Sequence, residues 1–137
     1  MSHYVECVPG FKDRAALVDA LVAVGFKPEQ IETHSDAVPL FGYQGDQREQ
    51  RAHVVIRRQH VGRAANDVGW ERLADGTYRA WISEYDQRHR FNPSMQDRIK
   101  QEYACAAVTR QQLALGRDVR RRSLDDGQVE LLITGYR

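Results

Sequence analysis

The chain has 137 residues, 42% of them hydrophobic and 28% charged, with a net charge of +1. That composition excludes a disordered polymer and fits one globular domain over 1–137, long enough to bury roughly two-thirds of its unfolded surface. The balanced charge excludes a global field for nucleic acid or an anionic membrane, so any basic site must be local.

Two cysteines, Cys7 and Cys105, form no CxxC pair and no disulfide framework; both read as small buried or half-buried hydrophobes. The start, MSHYVECVPG, has neither the basic nor the apolar region of a leader. No run approaches the about 18 apolar residues of a membrane span. The expected location is cytoplasmic, with no membrane partner.

His3 to Val8 reads as a short strand ended by Pro9-Gly10, with His3, Val5 and Cys7 on one face. A helix follows from about Asp13, a capping residue, to Val24, with Leu17, Leu21 and Val24 as its core stripe and Gly25 just past its end. Ile31 to His34 is a candidate edge strand kept short by Pro28 and Pro39. Gly42-Tyr43-Gln44-Gly45-Asp46 is a turn-rich loop, and Gln47 to Arg51 is expected to be a mobile surface loop. Ala52 to Arg58 carries valine on both faces, which predicts a central strand.

Val68 to Leu73 and Thr77 to Ser83 flank Asp75-Gly76, a type I′ hairpin signal. A two-residue turn there places Trp70 opposite Trp81 and Arg72 opposite Arg79. A second long helix is expected from about Ser94, as cap, to Leu115. Met95, Ile99, Tyr103, Ala106 and Leu113 form one stripe; Ala104, Val108 and Leu115 lie opposite. Helices apolar on two sides are sandwiched or offer a surface to a partner. Val119 to Leu124 and Val129 to Thr134 flank Asp126-Gly127 as a second hairpin. Together these elements predict an α+β fold: a mostly antiparallel sheet of five or six strands, both helices on one face, ferredoxin-like in arrangement.

Taken in order, several pieces resemble a family of small bacterial and phage proteins of unknown function that includes a hypothetical chloroplast-encoded reading frame. They are Ser2-His3, Leu17 to Gly25, Gly42-Tyr43-Gln44-Gly45, His53 to Arg58, Asn66-Asp67-Val68-Gly69-Trp70, Asp75-Gly76-Thr77-Tyr78, Ile82-Ser83 with Tyr85-Asp86, and Gln101 to Ala104. Trp70 stands where the family often has phenylalanine. The resemblance implies an intracellular protein. Members are often encoded near an AAA-type ATPase, which implies an adaptor or accessory role and carries over no catalytic residue.

Gly42-x-x-Gly45 lacks the Gly-Lys-Ser/Thr of a phosphate loop and opens no helix, so an ordinary turn is favoured over nucleotide binding. The five histidines show no zinc spacing, and no metal or other cofactor is expected. His3 reads as a satisfied, half-buried imidazole. Arg57 and Arg58 end one strand while Asn66-Asp67 begin the next, so these groups meet at one sheet end. They form either an anion-binding or acid/base corner, or a structural Arg–Asp pair, and the structural pair is favoured. Trp70, Arg72, Arg79 and Trp81 form either a stacking platform for bases or part of the core, with core favoured. The cluster Arg117, Arg120, Arg121 and Arg122 reads as a charged edge strand rather than a phosphate grip.

Three functions remain. The first is a non-enzymatic accessory module acting through a protein partner or as a homo-oligomer. The second is a nucleic-acid-binding module using Trp70, Arg72, Arg79 and Trp81. The third is a small enzyme with a pocket around His3, Tyr43, Arg57, Arg58, Asn66 and Asp67.

Overall fold

A computed structural model describes residues 2–135. The first strand, β1 (Tyr4–Phe11), leads into α1 (Arg14–Ala23). A long hairpin follows, β2 (Ile31–Phe41) and β3 (Gln47–Ile56), then a short helix, α2 (Arg58–Val61). A second hairpin, β4 (Val68–Arg72) and β5 (Tyr78–Ser83), runs into α3 (Glu84–Gln87) and the long α4 (Pro93–Ala114). The ribbon β6 (Asp118–Ser123) and β7 (Val129–Thr134) comes last. The main sheet has five antiparallel strands in the order β1-β5-β4-β3-β2, and β6-β7 forms a separate two-stranded sheet. The fold is α+β.

Local chemistry sets the helices. The Asp13 side chain caps α1 by accepting from Ala16 N–H, and Leu17, Ala20 and Leu21 bury its inner face. Asn92 caps α4, with Pro93 in the first turn, so the cap lies two residues before the expected Ser94. Both helices cover one sheet face. Leu17, Leu21 and Ile99 join Phe11, Val54, Ile56, Trp70, Tyr78, Ile82 and Phe91 in one core. The Tyr103 hydroxyl accepts from Lys12 and Asp13 N–H, and Arg110 grips Asp19, so α4 is tied to the start and the middle of α1.

Several strands differ from expectation. β1 continues past Pro9-Gly10 through a bulge, with Gly10 at φ +80°, so Phe11 still pairs with Tyr78. β2 runs to Phe41 because two irregularities in its ladder accommodate Pro39 on an edge strand. The segment Gln47 to Arg51 is strand rather than loop: Gln47 pairs with Phe41 and Arg51 with Pro39. Its polar side chains suit a strand exposed along much of its length, and Arg48 lies over the Tyr4 ring and donates to Ser2 C=O. At its other end β3 stops at Ile56, so Arg57 and Arg58 lie beyond it.

The hairpin β4–β5 has a three-residue turn. Leu73 N–H donates to Thr77 C=O, Gly76 N–H donates to Leu73 C=O, and Gly76 alone is at positive φ (+87°). A type I′ turn needs positive φ at both central residues, and Asp75 instead accepts from the Thr77 N–H and hydroxyl. The register moves by one residue: Trp70 pairs with Ala80, Gly69 with Trp81 and Arg72 with Tyr78. A one-residue slip puts the tryptophans on opposite faces. Trp70 is 2% exposed in the helix-side core. The Asp126-Gly127 turn is built the same way, with Leu124 paired to Gln128.

Only Val54, Val55 and Ile56 of β3 pair with β4. The rest of the β2–β3 hairpin folds over the sheet face away from the helices, where Leu40, Ala52 and Val55 pack with Tyr4, Val38 and Trp81. The close approach falls on Gly69, where a Cβ would lie 2.5 Å from Ala52 Cβ and 3.0 Å from Leu40 Cδ2. Gly69→Ala is therefore expected to cost about 1–3 kcal/mol in urea denaturation, the usual cost of overpacking. An unchanged midpoint would mean that the hairpin does not rest on this face.

Candidate functional site

Between β3 and β4 the chain turns through α2 and returns at Asp67, 1% exposed. A carboxylate taken this far from water needs compensating charge and donors. Its Oδ1 accepts from Arg58 N–H at 2.7 Å. Its Oδ2 accepts from Phe41 N–H and from Arg57 Nη1, both at 2.8 Å. The Asp67 backbone is held as well: its N–H donates to Phe41 C=O at 3.0 Å, and its C=O accepts the Tyr4 hydroxyl at 2.6 Å. Burial, then the adjacent Asp67 charge, pushes the Tyr4 phenol far above its ordinary range, so Tyr4 remains a neutral donor.

Every arm of the Arg57 guanidinium is used. Nε and Nη2 meet Glu32 in a bidentate pair at 2.9 and 3.1 Å, and Nη1 reaches Pro39 C=O in addition to Asp67. Glu32 Oε1 also meets His34 Nε2 at 2.9 Å. Partial burial works to raise the Glu32 pKa, but the bonds to Arg57 and His34 outweigh it and hold the carboxyl below its usual value.

Asn66 anchors the other side. Its Oδ1 accepts from Tyr43 N–H at 2.9 Å, while Nδ2 donates to Ser83 Oγ and Asp86 Oδ2. Ser83 donates in turn to Asp86 Oδ2 at 2.7 Å and accepts from Asp86 N–H. Arg58 Nη1 donates to Tyr43 C=O. The Gly42–Asp46 loop is thus clamped by Asn66 and Arg58, while Asp67 holds Phe41 just before it. Its glycines serve backbone geometry: a Cβ at Gly42 would lie 2.5 Å from Asp46 Oδ1, and Gly45 sits at φ +80°.

The structure brings together only part of the expected pocket. Arg57, Arg58 and Asp67 line one shallow depression with Phe41 and Gln59. Tyr43 lines a neighbouring one with Ser2, Glu84, Tyr85 and Arg88, and His3 lines a third beside Asp46 and Gln50. Asn66 lies buried beneath them. His3 is exposed rather than half-buried, because it precedes β1, where only its C=O is engaged, by Glu84 N–H. The expected tryptophan platform is also dispersed. Trp70 is core, Arg72 is on its side of the hairpin, and Trp81 lies on the opposite face. There Arg79 stacks 4.7 Å from the Trp81 ring and is bound to both Glu6 and Glu71. Burial pushes both free thiols, Cys7 and Cys105, upward, which makes them poor nucleophiles. Among the described residues no three His, Cys, Asp or Glu side chains are placed to hold a metal ion.

Four contributors escaped sequence reasoning: Tyr4, Glu32, Ser83 and Asp86. Only one pair had a legible signal. Ser83-Glu84-Tyr85-Asp86 has the spacing of a helix-capping motif, and Ser83 does cap α3.

Fold and corner together define an α+β protein whose folded-over hairpin is locked to an antiparallel sheet by one buried carboxylate. Residues 20–132 match the family described as "Protein of unknown function (DUF1257)", and the chain belongs to that family. The match contains the whole Glu32–Arg57–Asp67 corner and most of the ribbon. No curated protein and no solved structure matches the chain.

A carboxylate whose pKa is lower folded than unfolded stabilises the fold above the unfolded value and loses that contribution as pH falls through the folded one. Glu32→Gln is therefore expected to be less stable than the parent protein at neutral pH. The gap should narrow as pH drops below about 4.3, the unperturbed glutamate value, and close at lower pH. Thermal melts of both proteins across that range measure it; a gap independent of pH would contradict the Glu32–Arg57 assignment.

Proposed function

We propose that this protein is a non-enzymatic accessory module that acts through protein contacts, with an AAA-type ATPase as the partner class implied by the family resemblance. One observation carries the reading: the polar groups that looked catalytic are consumed by internal bonds, while apolar side chains stand in solvent at the far end of α4 and on the ribbon. Leu113 and Leu115 are each 55% exposed and Leu132 is 54% exposed. Exposed apolar side chains of this kind are where the proposal places the contact with a partner. The enzyme reading loses its shared cavity, and the nucleic-acid reading loses Trp70 to the core.

Affinity purification of the tagged full chain from its own cells tests the proposal. An AAA-type ATPase recovered at fixed stoichiometry, and lost with the Leu113→Glu/Leu115→Glu variant, is the expected result. Recovery of no protein at fixed stoichiometry would contradict it. Both leucines are more than half exposed, so the double variant is expected to melt as the parent does.

A further inference from the structure

Sheet edges present unpaired backbone donors and acceptors, and natural proteins blunt them with bulges, proline or charge. Three of the four edges here are blunted. β1 is bulged at Pro9-Gly10, β2 carries Pro39 and two register shifts, and β6 carries Arg120, Arg121 and Arg122. β7 has neither bulge nor proline, and its single charge, Glu130, is paired with Arg122 of β6. It reads Val-Glu-Leu-Leu-Ile-Thr, with one charge and an unbroken register against β6.

The turn fixes which backbone groups face the open edge. Leu124 N–H donates to Gln128 C=O at 2.8 Å, so this is a hydrogen-bonded pair. Antiparallel ladders alternate, which makes Arg122–Glu130 and Arg120–Leu132 pairs of the same kind. The N–H and C=O groups of Val129, Leu131 and Ile133 therefore point outward, away from β6.

We propose that a second copy of this chain covers that edge, by antiparallel pairing of β7 with its counterpart about a twofold axis at Leu131. The proposal rests on the protein-contact reading and names one of its partners. In this register outward-facing residues meet outward-facing residues, and about six inter-chain hydrogen bonds form. Leu131 faces the partner's Leu131, and Val129 faces the partner's Ile133, so the face toward α4 is apolar against apolar. On the other face Glu130 stands across from the partner's Leu132. Sliding the strands toward the turn by one pair would set Glu130 against the partner's Glu130, and sliding them the other way would set Leu132 against the partner's Leu132 and leave Val129 facing Gly135, beyond the partner's strand. The register about Leu131 is thus self-complementary, as a twofold interface requires, and it alone pairs Val129, Leu131 and Ile133 within the strand. The product is a four-stranded sheet with the α4 helices of both copies on one side. A net charge of +1 opposes no such association.

Light scattering of the purified full chain across a dilution series, with two variants, tests the proposal. Leu132 is 54% exposed on the ribbon face away from α4, so both variants are expected to fold. The parent chain is expected at twice its 15.8 kDa mass. Leu132→Lys sets an ammonium across from the partner's Glu130 and should move the dissociation midpoint to lower concentration. Leu132→Glu sets two carboxylates opposite each other and should move it up about fivefold to tenfold. A parent chain that is monomeric at every concentration overturns the proposal, as does a dimer that responds identically to both variants. Monomeric protein that still purifies with an ATPase sinks the homodimer alone. A dimer that purifies with no other protein sinks the accessory reading alone.

Discussion

The buried carboxylate of Asp67 is the constraint on which the rest of the structure depends. It joins three segments: the end of β2 through Phe41 N–H, the exit of β3 through Arg57 and Arg58, and its own position just before β4. The Tyr4 hydroxyl, donating to the Asp67 backbone C=O, ties the same corner to β1. Each bond replaces one lost to water, and the guanidinium supplies the opposite charge. A buried pair of this kind gives little net stability over an apolar substitute, but breaking it leaves an uncompensated charge. Its contribution is to specify one arrangement, in which the β2–β3 hairpin crosses the sheet and lands on Gly69.

That arrangement commits the most conspicuous polar residues to internal bonds. Arg57 has no free arm, and Asn66 is spent on Tyr43, Ser83 and Asp86. A catalytic base or anion receptor needs valence left over for its substrate. Around α4 and the ribbon, by contrast, leucines stand in water and, among the described residues, no strand pairs with the outer edge of β7. The proposed function accordingly rests on protein contacts.

Much of this was legible in the sequence, for identifiable reasons. The stripe Leu17–Leu21 and the caps at Asp13 and Gly25 are local signals, and they located α1. The pairing of Arg57 with Asp67 followed from a strand end meeting a strand start. The tryptophan pairing failed because Asp-Gly fits two turns. One residue of loop length decides between them, and it moves every side chain to the other face. Gln47 to Arg51 failed because its strand is held by backbone bonds to β2 and needs no apolar pattern. Glu32 and Tyr4 join the corner only through the folding-over of the hairpin, a long-range event that no window of sequence reports.

If Asp67 is the lock, its loss should free the hairpin selectively. Native-state amide hydrogen exchange on Asp67→Asn is the most direct measurement. The account predicts lost protection at Phe41, Arg58 and the distal parts of β2 and β3, with α1, β4 and β5 protected as in the parent. Unchanged exchange at Phe41 and Arg58, or a uniform loss across the whole sheet, would contradict it.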